Sequence, residues 1–79
     1  MNIYLLTQDE NRGYETYDSI VVVAKTEEEA RYIMPSNYEK FGDNYGSWAT
    51  HPEAVQVSLI GKAVKGTEAG VILASFNAG

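Results

Sequence analysis

The chain has 79 residues, a net charge of −5 and no cysteine, which excludes a second hydrophobic core, a disulfide framework and a thiolate metal site. Its hydrophobic fraction of 44% against 22% charged residues argues for one folded domain over residues 1–79 rather than a disordered chain. Residues 1–53 hold ten acids against four bases while residues 54–79 hold Glu68 against Lys62 and Lys65, so phosphates are repelled and direct nucleic-acid binding is not expected.

The opening MNIYLLTQDEN has no basic start and reaches acids by Asp9, which speaks against a secretion leader. Its residues Ile3 to Leu6 are strand-like. Gln8 to Ser19 interrupt them with acids, Asn11 and Gly13 before the run Ile20 to Ala24, which is far too short for a membrane span. A run apolar on both faces predicts a central strand.

Thr26 begins the sequence T-E-E-E, a capping box that predicts a helix from Glu27. Ala30, Ile33 and Met34 give it one narrow apolar face, and Pro35 predicts its end near Ile33 or Met34. Residues 35–53 form the longest irregular segment, at whose end Thr50 is expected to cap a single turn by accepting from the Glu53 amide. Val55, Val57 and Leu59 then alternate with polar residues as in a half-buried strand, Gly61 to Gly70 reads as a turn, and Val71 to Phe76 as the last strand. The predicted fold is α+β: a small antiparallel or mixed sheet of about four strands in the order β-β-α-loop-β-β, with one short helix packed on one face.

The chemistry-bearing motifs are sparse. His51 is the one histidine, no nucleophile, triad or zinc spacing surrounds it, and no enzymatic activity, metal or cofactor is expected. The segment from Asp9 to Gly13 fails as a calcium loop, because the position needing glycine is Tyr14 and the closing acid is replaced by Ile20. Gly61, Gly66 and Gly70 precede no helix and form no phosphate cradle.

Acids and aromatics do recur side by side. Asp9, Glu10, Tyr14, Glu15, Tyr17 and Asp18 form one such group, and Tyr38, Glu39, Phe41, Asp43, Tyr45 and Trp48 a second in a segment without apolar periodicity. Rigid aromatics amid carboxylates suit a contact surface for a basic protein partner. For Phe41 and Trp48 a structural alternative stands beside this one, a lid over the sheet. An open sheet of four strands has free edges, so the state expected is a monomer or an edge-paired dimer.

The opening MNIYLLT, the pairing of YDSIVVVA with TEEEAR, and the ending GVILASFNAG resemble a set of small proteins encoded by phages and prophages. The resemblance covers both ends of the chain and implies a setting, the cytoplasm of a bacterial host, rather than catalytic residues. By analogy with anti-CRISPR proteins, it implies an inhibitor whose carboxylates imitate DNA phosphates and whose aromatics anchor on a host defence complex, such as a CRISPR effector, with a basic surface. Two alternatives remain: a protein that binds or sequesters a nucleotide signal, with Arg12, Arg31 and Lys40 converging on its phosphates, and a non-catalytic interaction module of the phage.

Overall fold

A computed structural model describes residues 1–36, 40–42 and 46–77. Strands β1 (Asn2–Thr7) and β2 (Thr16–Ala24) form an antiparallel pair, followed by helix α1 (Glu27–Arg31), a 3-10 turn (Pro52–Ala54), and strands β3 (Gln56–Lys62) and β4 (Gly70–Asn77). The four strands make one sheet in the order β3-β1-β2-β4, and every pairing is antiparallel. Of the two sheet types expected, the antiparallel one is therefore realised, and the run Ile20 to Ala24 lies in an inner strand.

The sheet has two unequal faces. Tyr4 stands opposite Val22 and Leu6 opposite Ile20, and all four are buried on one face with Ala30 of α1, Trp48, Ala49 and Val55. Phe41, Ile33 and Met34 pack against this cluster from the side, which makes the helix side the main core. Leu5 pairs with Val21 and Ile3 with Val23 on the opposite face, outside the cluster.

Helix α1 starts where the capping signal puts it: the Glu29 amide donates to Thr26 Oγ1 at 3.1 Å. It stops earlier than expected, at Arg31. Tyr32 donates to the Glu29 carbonyl and Ile33 to the Ala30 carbonyl, both three residues back, so the last turn tightens and ends before Pro35 acts. Ile33 and Met34 still reach the core, but from irregular backbone.

The 3-10 turn corrects a second expectation. His51 occupies its cap position and makes no side-chain cap bond, while Thr50 is engaged by Glu10 instead. The turn needs little capping, because Pro52 at its first positions has no amide to satisfy.

Strand β3 was expected to be half-buried along its length, yet its burial falls away. Val55 is buried, Val57 half-buried and Leu59 61% exposed. A helix of five residues is about 7.5 Å long and covers only the part of the sheet nearest Arg31. Arg31 reinforces that docking by donating to the carbonyls of Pro52, at 3.1 Å, and Val55.

Candidate partner-binding surface

The connection from β1 to β2 is built around a buried glutamine. Gln8 Nε2 donates to the Asn11 carbonyl at 2.6 Å and to the Tyr17 carbonyl at 2.9 Å, while its Oε1 accepts from the Asn11 amide at 2.8 Å. One side chain thus satisfies backbone groups at both ends of the connection, which gives an acid-rich loop a fixed shape. Gly13 at φ 108° and Glu15 at φ 55° turn the chain back toward β2. Glycine takes that conformation freely; for glutamate it is strained.

Asn11 also joins this connection to the aromatic segment. Its Nδ2 donates to the Trp48 carbonyl at 2.7 Å, and the Tyr17 amide donates to the Ser47 carbonyl at 2.8 Å. Glu10 makes a third tie, accepting from the Thr50 amide at 2.8 Å and the Thr50 hydroxyl at 2.9 Å. The two stretches singled out in the sequence are therefore neighbours along residues 8–17 and 46–51.

The Glu10 ties have an electrostatic consequence. Bonds from the Thr50 amide, then from the Thr50 hydroxyl, hold the Glu10 carboxyl below the usual glutamate value, with a smaller push from His51. Thr50 Oγ1 lies 3.0 Å from His51 Nδ1. Which of the two donates in this contact depends on the histidine tautomer. Glu10, Thr50 and His51 thus form one clamp between the β1–β2 connection and the 3-10 turn.

The expected partner residues fall into distinct environments. Asp9, Glu10, Tyr14 and Glu15 are exposed, with Tyr14 at 73%, and Asp9 pairs with Arg12 at 3.2 Å. Asp18 is half-buried and accepts from Asn77 at 2.8 Å. Tyr17 is half-buried against the core, its ring 4.8 Å from that of Phe76. Phe41 is half-buried beside Tyr32 in an edge-to-face contact at 5.8 Å. Trp48 has 0% of its surface exposed, so of the two roles open to it the structural one holds and it offers no area to a partner. Tyr38, Glu39, Asp43 and Tyr45 lie outside the described residues.

Two features of this side of the molecule were not anticipated. Tyr32, 55% exposed, borders an open groove between α1 and the 3-10 turn that is also lined by Glu28, Arg31, Pro52 and Glu53. Its position just after a helix whose length was misjudged hid it. The Glu10–Thr50 clamp was equally hidden, because nothing local in the chain links residues forty positions apart.

The expected convergence of cations on a nucleotide finds no support in two of its three members. Arg12 is turned to Asp9, and Arg31 to two carbonyls and to Glu27 at 3.9 Å.

Fold and site together define a small α+β domain with an acidic, tyrosine-bearing connection clamped to one end of its sheet. The chain matches no known family model, and no curated protein or solved structure compared with it gives a match. Among the described residues no helix is long and apolar enough to cross a membrane.

Proposed function

We propose that this protein acts by binding rather than by catalysis, presenting Asp9, Glu10, Tyr14 and Glu15 to a basic surface of a host protein complex. The observation that carries the reading is the rigid mounting of these residues. Gln8 and Asn11 hold the connection at both ends, so its carboxylates and Tyr14 are displayed with little entropy left to lose on association.

Glu15 adds weight, since a glutamate kept at φ 55° costs about 1–2 kcal/mol that glycine at the same place avoids. The fold alone supplies no reason for a carboxylate there, whereas a contact surface does. Carboxylates spaced along a fixed loop suit a site built for phosphates, and Tyr14 supplies aromatic contact area. The resemblance to small phage proteins makes a CRISPR effector of the bacterial host the partner class of choice, with the carboxylates imitating DNA phosphates.

The test is direct binding of the purified protein to purified CRISPR effector complexes over a range of salt concentrations. Binding that weakens as salt rises supports the reading, because exposed carboxylates are screened. Binding unaffected by salt removes the phosphate imitation, and absence of binding to every effector removes the partner class.

A further inference from the structure

The open groove between α1 and the 3-10 turn is bridged by one of its own lining residues. Arg31 donates through Nη1 to the carbonyls of Pro52 and Val55, while Glu27 lies 3.9 Å from its other terminal nitrogen. Arg31 thus holds the two walls at a fixed separation, and Glu27 offsets its charge.

The remaining lining sets carboxylates beside an aromatic ring. Glu28 comes from α1 and Glu53 from the 3-10 turn, both are exposed, and among the described residues neither carboxylate has an ion-pair or hydrogen-bond partner. Glu28 precedes Tyr32 by four residues, which brings the two to the same side of the helix. The Tyr32 ring is held edge-to-face by Phe41, itself packed on the core, and so forms a fixed, exposed platform. With Arg31 offset by Glu27, the groove is net negative.

We propose that this groove takes an arginine side chain from a basic protein, with the guanidinium stacked on Tyr32 and donating to Glu28 and Glu53. Charge and size select that occupant. A volume of about 350 Å³ is at the small end of ligand sites and suits a single side chain. A planar guanidinium stacks on an aromatic ring and keeps donors along its edge for carboxylates on two walls, whereas an ammonium has no flat face. Lysine is therefore held less well. A metal ion lacks a third ligand among the described residues.

The groove is continuous with the acidic connection. Thr50 and His51 run directly into Pro52 and Glu53, and Glu10 fixes Thr50 to the β1–β2 connection. A basic partner that meets Asp9, Glu10 and Glu15 has a second point of attachment here, and two linked attachments bind more tightly than either alone. The choice of a protein as the source of the arginine rests on the partner reading above; the fit of the groove to a guanidinium does not.

NMR of the full chain, titrated at low salt with Nα-acetyl-arginine amide and separately with Nα-acetyl-lysine amide, tests it. The expected result is saturable shifts at the Tyr32 ring and at the Glu28 and Glu53 carboxyls, with a midpoint on the order of 10 mM for the arginine probe and a higher one for lysine. Glu28→Gln and Glu53→Gln, both at exposed positions that leave the fold intact, should each raise that midpoint about 2–5-fold. Glu68→Gln, at an exposed acid between β3 and β4, should leave it unchanged. Equal binding of both probes, shifts that never saturate, or shifts confined to residues 9–15 overturn the groove as an arginine site. With an effector that binds, the double variant Glu28→Gln, Glu53→Gln separates the two readings: weaker binding supports the groove, and unchanged binding overturns it while leaving the acidic connection as the contact. Probe binding without binding to any effector removes the CRISPR class and keeps the groove.

Discussion

The side-chain amide of Asn11 donates to the backbone carbonyl of Trp48 at 2.7 Å, joining the β1–β2 connection to the residue at the centre of the core. Display of the acidic loop and closure of the core are thereby one structural event. Asn11→Ala removes this bond, and the expected loss is about 1 kcal/mol of stability, read as a lower urea midpoint at unchanged slope. A loss confined to partner binding, with the midpoint unmoved, would separate the loop from the core and contradict the coupling.

Trp48 itself carries far more. Replacing a fully buried tryptophan by alanine removes its transfer free energy and leaves a cavity, for an expected cost of about 3–5 kcal/mol. In a domain this small that is a large part of the total stability, so Trp48→Ala is expected to be mostly unfolded by circular dichroism at room temperature. In the unmutated protein, Trp48 fluorescence should be blue-shifted and resistant to iodide quenching. Ready quenching would place the ring at the surface.

Glu10 predicts a pH dependence with a definite sign. Its carboxyl is held below the ordinary value of 4.5 in the folded chain, chiefly by the Thr50 amide and then by the Thr50 hydroxyl. The unfolded chain therefore takes up this proton first as pH falls. The stabilisation is complete above the ordinary value and is lost as pH drops through the folded one. Carboxyl-carbon NMR titration should give a Glu10 midpoint below that of a free glutamate, and Thr50→Ala should move it back upward. A midpoint indifferent to Thr50→Ala would leave the shift to the backbone amide alone and refute the hydroxyl's part in the clamp.

Glu15 separates stability from binding. Asparagine tolerates the left-handed backbone better than glutamate, so Glu15→Asn is expected to keep or raise the thermal midpoint, by up to about 1 kcal/mol in stability. The same change should weaken binding to a basic partner, because it removes a carboxylate from the display. Equal loss of both properties would make Glu15 structural only.

Tyr14 gives the complementary case on the same connection. Its ring is largely exposed, so Tyr14→Ala should change stability by less than about 0.5 kcal/mol. If the loop is an anchor, the affinity for the partner falls by about 2 kcal/mol or more, measurable by calorimetry. An unchanged affinity would move the anchor elsewhere.

Local signals in the chain were sufficient for several elements and insufficient for others. Thr26 with Glu29, the two-sided run Ile20 to Ala24 and the strand-like Ile3 to Leu6 act through their own backbone and immediate neighbours, and each lies in or opens the expected element, although β2 begins at Thr16, four residues before the apolar run, where Tyr17 and Ser19 pair with β4. The end of α1 was misplaced, because the tightening to three-residue bonds at Tyr32 and Ile33 precedes any effect of Pro35. Thr50 was assigned to the wrong partner. The turn takes His51 rather than Thr50 as its cap position, and the Thr50 hydroxyl donates to Glu10, a carboxylate that only the folded sheet brings near.

Composition and periodicity by themselves determined that this is one cysteine-free α+β domain with its acids concentrated in the first two thirds and aromatics set among them. They act residue by residue, through charge, backbone preference and apolar spacing. Only the tertiary structure decided that Trp48 is core while Tyr14 is surface, and that the two acidic, aromatic stretches are tied together. The physical reason is that burial and long-range hydrogen bonds depend on which segments meet. That meeting is set by the strand order β3-β1-β2-β4, in which no local signal places residues 46–51 against the β1–β2 connection.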